Sequence, residues 1–307
     1  MSMPVSRPSL SVHLQETGAP DTLRHLILEV ARACKYIHYA LRTTEAGLAG
    51  TFNQYGDAQV KLDVISNDII ARHLHESRLV ASFISEEEQS VIELRDDAPY
   101  SVVFDPLDGS SVVDTNFTVG TIVGIYAGKE LIGRTPREQV GALYVLYGPR
   151  TLLVYSTGNG VHEFILDEMG EFILLHGFLG IGDNPKSYSV GNLVATKENA
   201  AYRTLVEGWM QSGLTLRYTG CMVTDIHHVL SKGNGIFVNI GGGKYPHGKL
   251  RLVFECGPFA YLVEQAGGMA STGKAPILDV KIESIDQRTN IIVGSMKEVE
   301  RVCGLLN

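Results

Sequence analysis

Apolar residues recur at helical spacing between residues 22 and 42. Leu23, Leu26, Ile27, Val30, Cys34, Ile37 and Leu41 fall on one stripe, which predicts an amphipathic helix with Asp21 as its N-cap. Arg24, Arg32 and Lys35 read as its solvated face. Residues 47–56 are rich in small side chains and read as a loop. A second helix over about 64–77 carries Ile65, Ile69, Ile70 and Leu74 inward, with Asp63 just ahead of it as a candidate N-cap. Short continuous apolar runs at 79–84 and 100–103 then predict buried strands. Pro106 forces Asp105 into an extended conformation, so the second strand is expected to reach Asp105 and break, leaving Asp108 on a turn. Further strand-like stretches at 119–126, 139–147, 151–155, 161–166 and 171–175, separated by Gly- and Pro-containing turns, predict a mostly antiparallel meander.

The pattern changes after residue 187. The segment 193–196 leads into a helix at about 197–211. Residues 214–222 lead into a helix through Val223, Ile226 and Leu230, and 235–239 is another short strand. In 249–255, Lys249 and Arg251 alternate with apolar residues and Glu255 ends the run, whose plainer reading is a basic strand edge with a buried, paired glutamate. A helix is expected to start after Pro258 and stop at Gly267-Gly268. The loop 176–187, with Gly177, Gly180, Gly182 and Pro185, is the best domain boundary. It divides the chain into halves of 1–182 and 183–307.

Composition narrows the function classes. The 307 residues are 44% hydrophobic and 20% charged, with a net charge of −8, which argues against a general nucleic-acid or membrane-surface binder. An anionic substrate is still compatible, because metals and a few local basic residues can invert the field at a site. No apolar run is long enough to span a bilayer. Cys34, Cys221, Cys256 and Cys303 are far apart and form neither a disulfide framework nor a zinc pattern. Together with an N-terminus lacking an apolar signal core, this predicts a cytoplasmic location, or a plastid one if a transit peptide has been removed.

The candidate chemistry sits at strand ends. Phe104-Asp105-Pro106-Leu107-Asp108-Gly109-Ser110-Ser111 places two carboxylates beside a glycine that permits close backbone approach and two serine amides available to an anion. Mg2+ sites that act on phosphates are built from a few carboxylates plus substrate oxygens. Ser85-Glu86-Glu87-Glu88 follows a strand in the same way. If the two strands are neighbours, both acid clusters meet at one sheet edge, and their repulsion calls for cations. Taken singly, each feature has a plainer reading: an Asx turn, a solvated acidic loop, a helix cap. Adjacent His227 and His228 point to different helix faces, which favours packing over metal binding. Gly241-Gly242-Gly243-Lys244 lacks the Walker spacing and reads as a flexible turn.

The seven-residue D-P-L-D-G-S-S stretch resembles the signature of the metal-dependent, lithium-sensitive phosphatase superfamily. Its order and spacing with G-D-x-x-V-K-L-D-V from Gly56, S-E-E from Ser85, R-Y-x-G-x-M from Arg217, K-L-R-L-x-x-E from Lys249 and E-x-A-G-G from Glu264 resemble the class 1 fructose-1,6-bisphosphatase family over nearly the whole chain. The resemblance implies an α/β fold, a layered αβαβα sandwich of two tightly packed halves. It implies that Glu86, Asp105, the carbonyl of Leu107, Asp108 and Glu255 bind two to three divalent ions per subunit, Mg2+ or Mn2+. Glu87 and Asp63 would orient and deprotonate the attacking water, with Asp57 near a third metal or on a mobile loop. Gly109, Ser110 and Ser111 would meet the reacting phosphate, and Lys249 and Arg251 the sugar and phosphate. Asn192, Arg217, Tyr218, Gly220 and Met222 would serve the sugar and the distal phosphate. It further implies a homodimer or homotetramer in which Arg217 reaches the neighbouring subunit's site.

Within the family, the segments 113–121, 147–151, 191–193, 216–220 and 236–239 look more like sedoheptulose-1,7-bisphosphatases. Asn239 stands where fructose-bisphosphatases typically place a tyrosine, and their asparagine-glycine-tyrosine pattern near 191–194 is missing. The expected activity is therefore hydrolysis of the 1-phosphate of sedoheptulose 1,7-bisphosphate, as in the Calvin cycle or pentose phosphate metabolism. Fructose 1,6-bisphosphate is the alternative substrate, and a non-catalytic sugar-phosphate sensor is a further one. Pro99-Tyr100 replaces the lysine-tyrosine pair of AMP-inhibited members, and the paired cysteines of redox-regulated plastid members are missing.

Overall fold

The computed structural model describes residues 7–44, 47–52 and 58–306, the side chains of 48–52 and 58–60 excepted. The chain opens with α1 (Leu10–Glu16) and α2 (Asp21–Thr43); β1 (Leu48–Phe52) and β2 (Ala58–Val60) pair antiparallel before α3 (Lys61–Ser77). There follow β3 (Val80–Ser85), β4 (Ile92–Glu93), β5 (Tyr100–Asp108), the single turn α4 (Ser110–Val113), β6 (Val119–Ala127), β7 (Gln139–Tyr147), β8 (Thr151–Ser156), β9 (His162–Leu166) and β10 (Phe172–His176). These strands form one eight-stranded sheet in the order β10-β9-β8-β7-β6-β5-β3-β4, antiparallel throughout except for the parallel pair β3 and β5. The remainder comprises β11 (Ser187–Val190), α5 (Ala200–Gln211), β12 (Thr215–Leu216), α6 (Met222–Lys232), β13 (Ile236–Asn239), α7 (Gly257–Gln265), β14 (Met269–Ser271), β15 (Ile291–Gly294) and α8 (Met296–Leu306). Its five strands are ordered β12-β11-β13-β15-β14.

Alternation along the strands explains the layering. Successive side chains leave a strand on opposite faces. Val102 and Phe104 pack with Leu26, Ile27, Val30 and Leu74 of α2 and α3, while Val103 between them packs with Val223, Ile226 and Phe259 of α6 and α7. The far side of α6 and α7 meets Phe237 and Val293 of the small sheet. The other face of that sheet, with Val238 and Ile292, is covered by Trp209 of α5 and Val299 and Val302 of α8. The result is helix, sheet, helix, sheet, helix, the expected αβαβα sandwich. Both faces of the large sheet are buried, so its antiparallel strands read as continuous apolar runs instead of alternating ones. Among the described residues no helix is long and apolar enough to cross a membrane.

Several boundaries differ from the sequence reading. Pro20, not Asp21, is the N-cap of α2; Asp21 is the first helical residue and pairs with Arg24 at 3.0 Å. A proline here gives up no hydrogen bond, since the first helical N–H groups have no intrahelical partner. Asp63 lies inside the first turn of α3 and is buried, so it is not a cap. Part of the small-residue stretch 47–56 is the strand β1. The segment 193–197 is a 3-10 turn, and the strand that precedes α5 is β11. β5 does not break at Asp105 but runs through Pro106 to Asp108. The predicted strand at 249–255 is largely a π-helical turn, Leu252–Cys256, leading into α7 at Gly257.

Gly120 of β6 lies where the two sheets' intervening helix comes closest. A Cβ there would sit 2.6 Å from Val223 Cγ1 and 2.7 Å from the Val145 carbonyl oxygen. Gly120→Ala should therefore push α6 off the large sheet and cost about 2 kcal/mol of unfolding free energy, as overpacking in a close-packed interior does. Urea unfolding measures this; an unchanged midpoint would show that α6 is free to retreat.

Candidate active site

The acidic centre is assembled by strand pairing. β3 and β5 run parallel with Ser85 opposite Phe104, and the Glu86 N–H donates to the Phe104 carbonyl at 3.1 Å. Glu86 and Asp105 therefore leave the same edge of the sheet, as expected if the strands were neighbours. In a regular strand Asp105 and Asp108 would point to opposite faces. Against β6, however, Asp105 faces Ile122 and Asp108 faces Gly120, so β5 carries one extra residue. This bulge turns both aspartates to one side. Asp105 Oδ1 accepts the Leu107 N–H at 2.9 Å, and the Pro106 carbonyl accepts the Thr121 hydroxyl at 2.8 Å. Glu255 arrives from the second half on the π turn, its Oε2 accepting the Arg251 N–H at 2.7 Å.

Asp105, Asp108 and Glu255 present oxygens that all lie within 4.8 Å of one another. Asp105 and Glu255 are buried. Burial, then the charges of Glu86, Asp108 and Glu255, push the Asp105 carboxyl well above its ordinary range. Asp108 is pushed up to about 6 by burial, against the opposing Val223 N–H at 2.6 Å and Cys221 thiol at 3.1 Å. Glu255 is pushed up to about 8 by burial and then by Glu86. Such a cluster suits a hard divalent cation, whose charge would offset the repulsion and whose preference is for oxygen donors. The donor set therefore fits Mg2+ or Mn2+. Glu86 is engaged by the Arg251 guanidinium.

These groups line one cavity of about 660 Å³, together with Asp63, Glu87, Leu107, Gly109, Ser110, Ser111, Tyr218, Gly220, Met222 and Lys249. Gly109 is left-handed, φ +88°, and a Cβ there would lie 2.8 Å from Cys221 Cβ, so only glycine lets the turn after Asp108 approach α6. Glu88 is held on α3 by the Asn67 amide at 2.7 Å, so the acidic triplet is not simply a solvated loop. Asp57 lies outside the described residues. Asn192 does not line the cavity; its amide donates to the Ile240 and Gly242 carbonyls at 2.9 and 3.4 Å. Arg217 is exposed, away from its own chain's cavity, while Tyr218 faces inward with its hydroxyl 3.2 Å from the Gly191 carbonyl. His227 is a packing residue, its Nδ1 2.9 Å from the Tyr144 hydroxyl.

Sequence reasoning missed Asp225, Lys244, Tyr245 and Arg288, which also line the cavity. It noticed Asn239 only as a departure from a pattern. Asp225 was legible in principle, one helical turn after Met222. Arg288 belongs to a loop with no periodic or motif signal.

Residues 4–177 match the family described as Fructose-1-6-bisphosphatase, N-terminal domain, and residues 181–307 match its C-terminal domain. The chain belongs to the fructose-1,6-bisphosphatase family. It is a sugar-bisphosphate phosphatase of that family. The Fructose-1,6-bisphosphatase class 1 of Geobacter sulfurreducens is 44% identical over 306 residues, covering 97% of each chain. The chloroplastic sedoheptulose-1,7-bisphosphatase of Spinacia oleracea is 38% identical over 300 residues, covering 95% of this chain and 76% of that one. The holo Leishmania major fructose-1,6-bisphosphatase superposes with a TM-score of 0.92 at 31% identity, covering 98% of this chain and 99% of that one. The cysteines of this fructose-1,6-bisphosphatase family member are all free, with Cys34, Cys221 and Cys256 buried.

The raised carboxylates give the metal-free protein a defined pH response. Asp108 and Glu255 bind protons more tightly folded than unfolded. Their contribution is complete below about pH 4 and is lost as pH rises through about 6 and about 8. In chelator, the melting temperature should fall by roughly 5 °C or more between pH 5 and 8.5, and saturating Mg2+ or Mn2+ should remove most of the fall. An equal melting temperature at both pH values in chelator would contradict this.

Proposed function

We propose that the chain hydrolyses the 1-phosphate of fructose 1,6-bisphosphate, with sedoheptulose 1,7-bisphosphate as a second substrate. The observation that carries a bisphosphate reading is the polarity of one cavity. Buried carboxylates gather around Asp105, and Lys244, Lys249 and Arg288 line the same space. Fructose takes precedence over the heptulose suggested by the segment resemblances because the relative named for the fructose substrate is 44% identical, against 38% for the one named for sedoheptulose. The heptulose stays as second substrate because Asn239 lines the cavity with a buried Oδ1 that has no hydrogen-bond partner among the described residues, where a further sugar hydroxyl could donate.

A divalent cation on Asp105, Asp108, Glu255 and the Leu107 carbonyl would polarise the phosphoryl group and acidify a bound water. The protein's own groups complete the chemistry. Asp63 is buried and Glu87 half-buried on the same cavity wall, suited to orienting the attacking water and accepting its proton. Arg251, held by Glu86, offers guanidinium donors to phosphoryl oxygens. Ser110 and Ser111 follow the Gly109 turn at the same wall and would fix the orientation of the reacting phosphate.

Phosphate release with each bisphosphate, with and without Mg2+ or Mn2+, tests the assignment. Fructose 1,6-bisphosphate should show the higher kcat/KM; a clear preference for the heptulose would reverse it, and no turnover of either would leave a sensor. Asp108→Asn should lower turnover at saturating metal by at least about a hundredfold, as loss of a transition-state electrostatic contact does. Its melting temperature in chelator should not drop, because a repelling charge has gone. Near-normal turnover in this variant would remove Asp108 from the metal set.

A further inference from the structure

The bulge in β5 has a support of its own, on the face of the large sheet that packs against α2. Asp105 stands opposite Ile122 and Asp108 opposite Gly120, so Pro106 and Leu107 together face the single residue Thr121 of β6. A bulge of this kind leaves peptide groups that the ladder does not pair. The Leu107 N–H is taken by Asp105 Oδ1 at 2.9 Å, and the Pro106 carbonyl by the Thr121 hydroxyl at 2.8 Å. Proline has no N–H to lose, which is why it is tolerated here although β5 lies between β3 and β6.

Thr121 does not act alone. Its hydroxyl lies 2.9 Å from the Tyr147 hydroxyl, which reaches it from β7, two residues along from Val145, the cross-strand partner of Thr121. A threonine hydroxyl has one proton. The Pro106 carbonyl can only accept, so that proton goes to the carbonyl and Tyr147 donates to Thr121. The Cys34 thiol of α2 lies beside both hydroxyls. Burial pushes the thiol up to about 12 and pushes Tyr147 well above its ordinary range, so both stay protonated. Thr121, Tyr147 and Cys34 are all buried, so bulk water cannot stand in for a lost donor. The chain ends on the peptide between the two aspartates. Without Thr121 the Pro106 carbonyl and the Tyr147 hydroxyl would be left buried and unpaired. Relaxing that strain means turning the peptide, and in an unbulged strand Asp105 and Asp108 no longer share a side.

We propose that Thr121 and Tyr147 are positioning residues for the metal site: a one-way hydrogen-bond chain, from Tyr147 to Thr121 to the Pro106 carbonyl, holds the β5 bulge and so sets the spacing of the oxygens that Asp105, Leu107 and Asp108 offer to a cation. Neither side chain lines the cavity, so neither touches cation or substrate. The proposal rests on the reading of Asp105, Asp108 and Glu255 as a divalent-cation site. Calorimetric titration with Mn2+ at pH 7 measures the effect on that site, at a temperature where each variant is folded by near-UV circular dichroism. Thr121→Val keeps the branched shape without the hydroxyl and should raise the Mn2+ Kd about tenfold, as loss of one buried hydrogen bond does. Thr121→Ser keeps the hydroxyl and should stay within about threefold of wild type, while Tyr147→Phe should raise Kd by about threefold or more. Val123→Ala is the control, because Val123 is buried on the same face of β6 and carries no hydroxyl. It should lower the melting temperature and leave Kd within about twofold of wild type. The proposal is overturned by Kd values within about twofold of wild type in both Thr121→Val and Tyr147→Phe, by a rise in Val123→Ala equal to theirs, or by Thr121→Ser as weak as Thr121→Val. If Thr121→Val does not fold, Tyr147→Phe against Val123→Ala decides it on the same criteria. Wild-type protein that binds no Mn2+ would instead overturn the metal-site reading, and the positioning role with it.

Discussion

Mutual repulsion among buried carboxylates is the constraint around which the molecule is built. Asp105 and Glu255 are buried with oxygens within 4.8 Å of one another and of Asp108, and Glu86 adds its charge to all three. Taking a carboxylate out of water is costly unless a counter-charge or a proton accompanies it. In the metal-free chain burial and the neighbouring charges raise all three carboxyls above their ordinary range, so bound protons supply part of that compensation. A divalent cation does it better, and the backbone irregularities of the fold serve that arrangement. The bulge in β5 turns two aspartates to one side, and the π turn before α7 swings Glu255 in beside them.

The second half of the chain completes what the first half begins. Asp108 is held by the Val223 N–H and the Cys221 thiol, both at the start of α6, and Glu255 and Arg251 come from the same half. The glycines at 109 and 120 allow this contact, since any side chain at either would collide with α6. The packing of the layers and the geometry of the site are therefore one problem. A change that separates α6 from the large sheet removes the hydrogen bonds that hold Asp108.

What was legible in the sequence follows from this. The large sheet was legible because both its faces are buried, so its strands appear as unbroken apolar runs; the meeting of Glu86 and Asp105 followed from their positions after such runs. The extra residue in β5 was not legible, because Pro106 looks like a strand end, whereas here its carbonyl is tied to Thr121 and the pairing continues to Asp108. The π turn at Leu252–Cys256 was invisible because Lys-Leu-Arg-Leu alternates as a strand would. Three successive glycines suggested mobility, while the structure uses their missing side chains for close packing on Pro246 and Ala195. Arg288 had no signal at all, since its place depends on pairing between segments more than thirty residues apart. Asn192, expected at the substrate, instead braces the loop that carries Lys244.

The central claim is that protons occupy the carboxylate cluster until divalent cations displace them. Calorimetric titration of metal-free protein with Mn2+ at pH 7, repeated in buffers of different ionisation enthalpy, counts the protons released on binding. Metal ligands must be deprotonated to bind, so raised carboxyls predict release of about one proton or more per chain. Tight Mn2+ binding with no proton release would mean that the cluster is already ionised without metal, and the account of the site built on its burial would fail.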